Sequence, residues 1–168
     1  ITVENFLSYV NDGDYTNTVI HRSVPDFIVQ GGGFRFEGDF PLQGIDTDAA
    51  ITNEPVYSNI KGTIAMAKVG GNINSATSQW FVNLKDNSAN LDVQNGGFTV
   101  FGQVTGDGMA VFEQISNISR CNTGDPAFKE VPMPDYSADN CTNKVTPGVE
   151  KFVTVQQITI VDSSSTTA

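Results

Sequence analysis

The chain has 168 residues, 39% of them hydrophobic and 17% charged, a balance expected of one compact domain that buries roughly 70% of its unfolded surface. Nineteen acidic residues against nine basic ones leave a net charge of −10 with no cluster of Lys or Arg, which argues against nucleic acid as a partner. No apolar run nears the ~18 residues of a membrane span, and the opening ITVENF has neither the charged nor the apolar region of a signal peptide, so we expect a soluble chain, already processed if exported, with no membrane partner.

In chain order the first element is a helix. Val3, Phe6, Leu7 and Val10 recur at i, i+3, i+4 and i+7, with Thr2 as the expected N-cap and Gly13 as the stop. Strand-like runs follow at TVIHRS (18–23) and FIVQ (27–30), then TIAMAKV (63–69), QWFVNL (79–84) and FTVFGQV (98–104). Each is short, rich in β-branched or aromatic residues, and bounded by Gly, Asn, Asp or Pro. The turn-rich TGDG at 105–108 precedes a second helix marked by Val111, Phe112, Ile115 and Ile118, and FVTVQQITIV (152–161) reads as a last strand. Many short strands with two helices favour a barrel or sandwich over a parallel α/β sheet. No internal repeat is present, and SSSTTA is read as a frayed tail, giving one domain over 1–162 and a flexible 163–168.

The stretch HRSVPDFIVQGGG (21–33) sets a charged Arg22 among apolar residues. An ionised group there must find partners or stay partly wet. Pro25 and Asp26 break the run, so two strands joined by a tight connection bring Arg22 and Gln30 within about one residue of facing each other. A glutamine oxygen can then orient the guanidinium, with Phe27 or Ile28 as an apolar wall. From these residues alone, a structural arginine satisfied by backbone carbonyls stands equally well.

A second motif, GTIAMAKVGGNINSATSQWFVN (62–83), joins HRSVPDFIVQGGGF and FTVFGQV. Together, and in this order, they resemble the cyclophilin family of peptidyl-prolyl isomerases; SATSQ and the glycine triplet are most similar to its bacterial branch. The resemblance runs from about residue 2 to residue 118, with the final strand matched loosely. It implies a mainly β fold, an eight-stranded antiparallel barrel capped by two α-helices, with a peptide groove on the outer face. It also implies that Arg22, Gln30 and Phe81 carry catalysis and that Phe27, Ile28, Ala67, Gln79, Asn90, Leu91 and Phe98 bind substrate, with Gln30 and Gln79 positioning Arg22 and the substrate backbone. Neither cofactor nor metal is implied. The partners implied are proline-containing peptides and unfolded proteins, met by a monomer, with cyclosporin as a weak ligand. A proline-peptide binding module with little turnover is the alternative, and composition alone also admits a barrel that carries an apolar ligand.

His21 is the only histidine, so neither a metal cluster nor a catalytic triad has more than one imidazole, and it reads as a structural strand residue. The triplet Gly31–Gly33 lacks the Lys-Ser/Thr of a phosphate loop and reads as a backbone turn. Asn117-Ile-Ser and Asn140-Cys-Thr fit the glycosylation triplet, which arises readily by chance. The sequence departs from the family pattern at Asn90, where many relatives carry tryptophan, and at Ile28, Lys68, Trp80 and Phe98. It also lacks the strand pair that usually precedes the first helix, so either part of the natural protein is missing from this sequence or the barrel closes in another way. The segment 119–150 is long and polar, and holds the only two cysteines, Cys121 and Cys141. We expect a disulfide between them, against two free thiols in a reducing cytoplasm; if formed, it favours the periplasm or cell exterior.

Overall fold

A computed structural model describes residues 1–161 of the chain; the tail expected at 163–168 lies outside the described residues. Helix α1 spans Thr2–Asp12. Thr2 is not its cap, as expected, but its buried first residue. Ile1 holds the N-cap position without a side-chain hydrogen bond, and the free Thr2 N–H is taken up by the Glu54 carboxylate at 2.7 Å. The helix ends as expected at Gly13, whose φ of 77° lets the chain reverse.

The run 18–23 splits into β1 (Thr18–Val19) and β2 (Arg22–Val24). The split falls at Ile20 and His21, whose N–H groups turn to Val153 and Gln30. Next come β3 (Ile28–Gly31), β4 (Phe34–Arg35), β5 (Gln43–Gly44), β6 (Thr63–Met66) and β7 (Trp80–Asn83). A one-turn helix α2 (Ser88–Leu91) leads to β8 (Val100–Gln103), and α3 (Gly108–Ser116) follows the predicted turn. The polar segment forms β9 (Arg120–Cys121), β10 (Val131–Pro132) and α4 (Ala138–Thr142), and β11 is only Thr154–Val155. The last strand is thus shorter than its sequence pattern, because the ladder with β1 ends there. Two one-turn helices, α2 and α4, join the two that were expected.

All strand pairings are antiparallel, in sheets ordered β11-β1-β4-β5, β10-β9 and β2-β3-β7-β6-β8. The five-stranded sheet positions the site. Arg22, Gln30, Phe81, Ala65 and Val100 are successive cross-strand partners, so they form one row on one face. The neighbouring row, Ser23, Val29, Val82 and Ile64, faces the opposite way. There Val29 and Val82 pack with Tyr9, Tyr15, Met66 and Trp80 in the main core. The front of the sheet carries its own apolar cluster of Ile28, Ala65, Phe81, Leu91 and Val100, with Phe27, Ala67 and Phe98 against it.

The glycine triplet serves close packing. A Cβ at Gly32, where φ is 79°, would lie 2.7 Å from the Trp80 indole, and one at Gly33 would lie 2.5 Å from Gln79 Cγ. No helix opens there to bind phosphate.

His21 is 97% buried by its 3% residual exposure and meets Phe34 edge-on at 4.7 Å. Burial, followed by the adjacent Arg22 charge, pushes its pKa down to about 4 from the usual 6.5. The folded state therefore keeps the ring neutral after the unfolded chain has protonated it. The associated stability is complete above about pH 6.5 and is lost as pH falls from there toward 4, a difference on the order of 3 kcal/mol. Urea unfolding at pH 7 and pH 4.5 checks this. The unmodified protein should lose more stability between them than His21→Gln, and parallel losses would refute the assignment.

Candidate active site

The front-face cluster floors a groove of about 490 Å³ lined by Arg22, Phe27, Ile28, Gln30, Ala67, Lys68, Phe81, Asn90, Leu91, Gln94 and Phe98. The turn at Pro25 and Asp26 sets this geometry. Asp26 takes a positive φ of 56°, the Phe27 N–H closes on Val24, and the hairpin register then sets Arg22 directly opposite Gln30. Phe98 stands edge-on to Phe81 at 5.8 Å. With Phe27 and Leu91 these rings make an apolar pocket, and Arg22 stands one strand beyond Gln30 in the same row.

Two expectations about the polar groups change. Gln30 does not hold the guanidinium: its Nε2 donates to Gln79 Oε1 at 2.9 Å. Arg22 instead donates from Nε to Glu130 Oε2 at 2.8 Å. Gln79 is absent from the groove lining and borders a smaller adjoining pocket with Gln30, Ala67, Lys68 and Thr77. There its Oε1 accepts the hydrogen bond from Gln30.

Lys68 and Gln94 line the groove without having been assigned to it. Lys68 Nζ donates to the carbonyls of Asn95 and Gly97 at 2.8 and 2.6 Å and lies 4.9 Å from the Phe98 ring centre. Partial burial lowers its pKa. Gln94 follows α2 in a 3₁₀ turn, a placement no strand or helix period announces.

Behind the pocket lies a buried amide network that sequence reasoning also missed. Asn83 Nδ2 donates to Asn59 Oδ1 and Thr63 Oγ1, and Asn87 Nδ2 to Asn83 Oδ1 and the Phe27 carbonyl. Asn59 Nδ2 reaches Asp92 Oδ1 and the Phe98 carbonyl. Two walls of the groove, Phe27 and Phe98, are thereby fixed through their backbones, and α2 with Asn90 and Leu91 is anchored between them. A satisfied network in a dry interior specifies one arrangement. The run VNLKDN (82–87) carried the signal, as two asparagines four residues apart beside strand residues.

The family model for cyclophilin type peptidyl-prolyl cis-trans isomerases matches residues 1–142. The chain belongs to the cyclophilin family. This cyclophilin is 40% identical over 141 residues to peptidyl-prolyl cis-trans isomerase A of Dickeya dadantii, covering 79% of this chain and 67% of that protein. It is 39% identical over 127 residues to a peptidyl-prolyl cis-trans isomerase of Acinetobacter baylyi, covering 74% of this chain and 64% of the relative. The chain thus spans about two thirds of the length of both. Among solved structures, a cyclophilin type isomerase of Cryptosporidium parvum matches with a TM-score of 0.53 and 22% identity over 77% of each chain. That likeness supports the mainly β, antiparallel cyclophilin fold.

This cyclophilin differs from a plain sheet-and-helix design in its polar segment. β10 abuts β2 through Ser23 N–H donating to the Glu130 carbonyl at 2.9 Å, so the segment covers a strand edge that would otherwise be open. Cys121 and Cys141 are joined within it, their Cα atoms 5.7 Å apart. A cross-link closing a loop of this length contributes about 3 kcal/mol. Reduction should lower the thermal midpoint by on the order of 10 °C. Alkylation of native protein without reductant should leave its intact mass unchanged; two added labels would show free thiols instead.

Proposed function

We propose that this chain is a peptidyl-prolyl cis-trans isomerase acting on Xaa-Pro bonds of peptides and unfolded proteins. The carrying observation is the row in which Arg22, a fixed cation with free terminal N–H groups among the described residues, stands beside an apolar pocket of Phe27, Phe81 and Leu91. The Cryptosporidium parvum structure was obtained in the presence of the dipeptide Ala-Pro, which supports a proline ring as the occupant.

Rotation about an Xaa-Pro bond passes through a twisted state without amide resonance, across a barrier of about 18–20 kcal/mol. The cis and trans ends differ by only about 0.5–1 kcal/mol, so the protein needs to lower the barrier alone. The rings and Leu91 hold the prolyl ring while the preceding residue turns. Arg22 donates toward the prolyl carbonyl and nitrogen, favouring a pyramidal nitrogen whose lone pair no longer conjugates. Because that interaction is strongest in the twisted state, it accelerates rotation without a nucleophile. Gln30, steadied by Gln79, presents an amide to the substrate backbone.

Exchange of a short Xaa-Pro peptide, followed by NMR with and without protein, tests the reading. Acceleration at substoichiometric protein is expected, and binding without acceleration would overturn it. We further propose that the protein works in the periplasm or outside the cell, where a disulfide such as Cys121–Cys141 persists, and that it binds cyclosporin weakly.

A further inference from the structure

We propose that Glu130 positions Arg22 for catalysis, so that the polar segment 119–150 completes the active site; this rests on the isomerase reading above. Arg22 lies on β2, the edge strand of the five-stranded sheet. A long side chain at an edge samples many rotamers, and turnover requires one of them. The neighbour in register, Gln30, is committed to Gln79. Glu130 supplies the missing constraint twice over, since its carbonyl accepts the Ser23 N–H at 2.9 Å and its carboxylate accepts Arg22 Nε–H at 2.8 Å. Strand and side chain are thus located by the same residue.

The point of attachment matters chemically. A guanidinium has five N–H donors in a fixed plane. Glu130 takes the one on Nε, and among the described residues neither terminal nitrogen makes a hydrogen bond. The four remaining donors stay available to a prolyl carbonyl and nitrogen, with the plane held from behind. Glu130 is itself held, because Val131 beside it pairs with Cys121 and Cys121 is tied to Cys141. Both partners of the ion pair are nearly 40% exposed, at 39% and 38%, so the pair adds little to global stability and its effect falls on orientation.

The test compares unmodified protein with Glu130→Ala and Glu130→Gln, using NMR exchange of an Xaa-Pro peptide to separate kcat from KM. Glu130→Ala should lower kcat about tenfold with KM and thermal midpoint nearly unchanged. Glu130→Gln should keep most of the rate, because an amide oxygen still accepts the Nε–H. The Arg22 Nε–H resonance should be protected from exchange in unmodified protein and Glu130→Gln and lost in Glu130→Ala. Unchanged kcat in Glu130→Ala, equal losses in both variants, or a loss carried by KM would overturn the role of Glu130. An unmodified protein that binds the peptide without accelerating exchange would instead overturn the isomerase reading, and this proposal with it.

Discussion

Arg22→Ala is expected to lower kcat by roughly 10²–10³-fold, the loss that follows removal of one preplaced donor from a site where charge shifts during the reaction, while peptide affinity changes little. The asymmetry follows from the geometry. In the proposed binding mode the proline ring rests on Phe27, Phe81 and Leu91, none of which touches the guanidinium through a hydrogen bond, and the apolar cluster is intact without it. Arg22→Lys should recover only a small part of the rate, because an ammonium offers a point charge in place of a planar fork and leaves the Glu130 carboxylate without its Nε–H. Peptide titration and exchange rates measured on the same samples decide the matter. A rate that survives the alanine substitution, or one that falls only in step with affinity, would move the catalytic role elsewhere in the groove.

Asn90→Trp is expected to tighten cyclosporin inhibition by roughly ten- to a hundredfold while turnover stays close to its starting value. Asn90 sits on α2 beside the buried Leu91, exposed at the rim of the groove. In the family pattern a tryptophan at this position offers a broad apolar face and an indole donor to the macrocycle. At ~25 cal/mol per Å² of apolar burial, a large part of an indole corresponds to one to a few kcal/mol. The proposed proline pocket of Phe27, Phe81 and Leu91 lies deeper, and the substitution leaves its rings in place. Two inhibition titrations in one buffer provide the check. Tight inhibition of the unmodified protein, or no gain from the tryptophan, would show that residue 90 does not govern the rim.

The sequence carried what depends on local rules. Pro25 and Asp26 mark a turn, the turn sets a tight three-residue connection over 25–27, and the period of two then places Arg22, Gln30 and Ile28 on a common face, while Phe81 enters through the family resemblance. What it did not carry depends on partners distant along the chain. Glu130 is 108 residues from Arg22, and nothing in the composition of its polar segment distinguishes a side chain that returns to the sheet from one left in water. Glu54, 52 residues from the helix start it completes, is the same case, since capping rules look only at neighbours and so point to Thr2. In sequence asparagine suggests turns, whereas Asn83 and Asn87 are buried with every amide proton placed and, with Asn59, fix two walls of the groove. The final strand is shorter than its pattern for another reason: alternating residues state a capacity to pair, and the partner sets the length.

The transverse row of one residue per strand has a consequence for how the molecule comes into being. Beyond the β2-β3 hairpin, the steps across the sheet join separated parts of the chain; the link from Gln30 to Phe81 spans 51 positions, and the Arg22–Glu130 contact at the end of the row spans 108. Such contacts form only after large loops close, and they gate the rate of assembly. A displacement of a single position in any one ladder would turn its member of the row to the opposite face. Catalytic competence is therefore a late and all-or-none property of the refolding chain. Its return on refolding is expected to report completion of the whole sheet, and the β2-β3 hairpin alone, though it carries both Arg22 and Gln30, is expected to be inert.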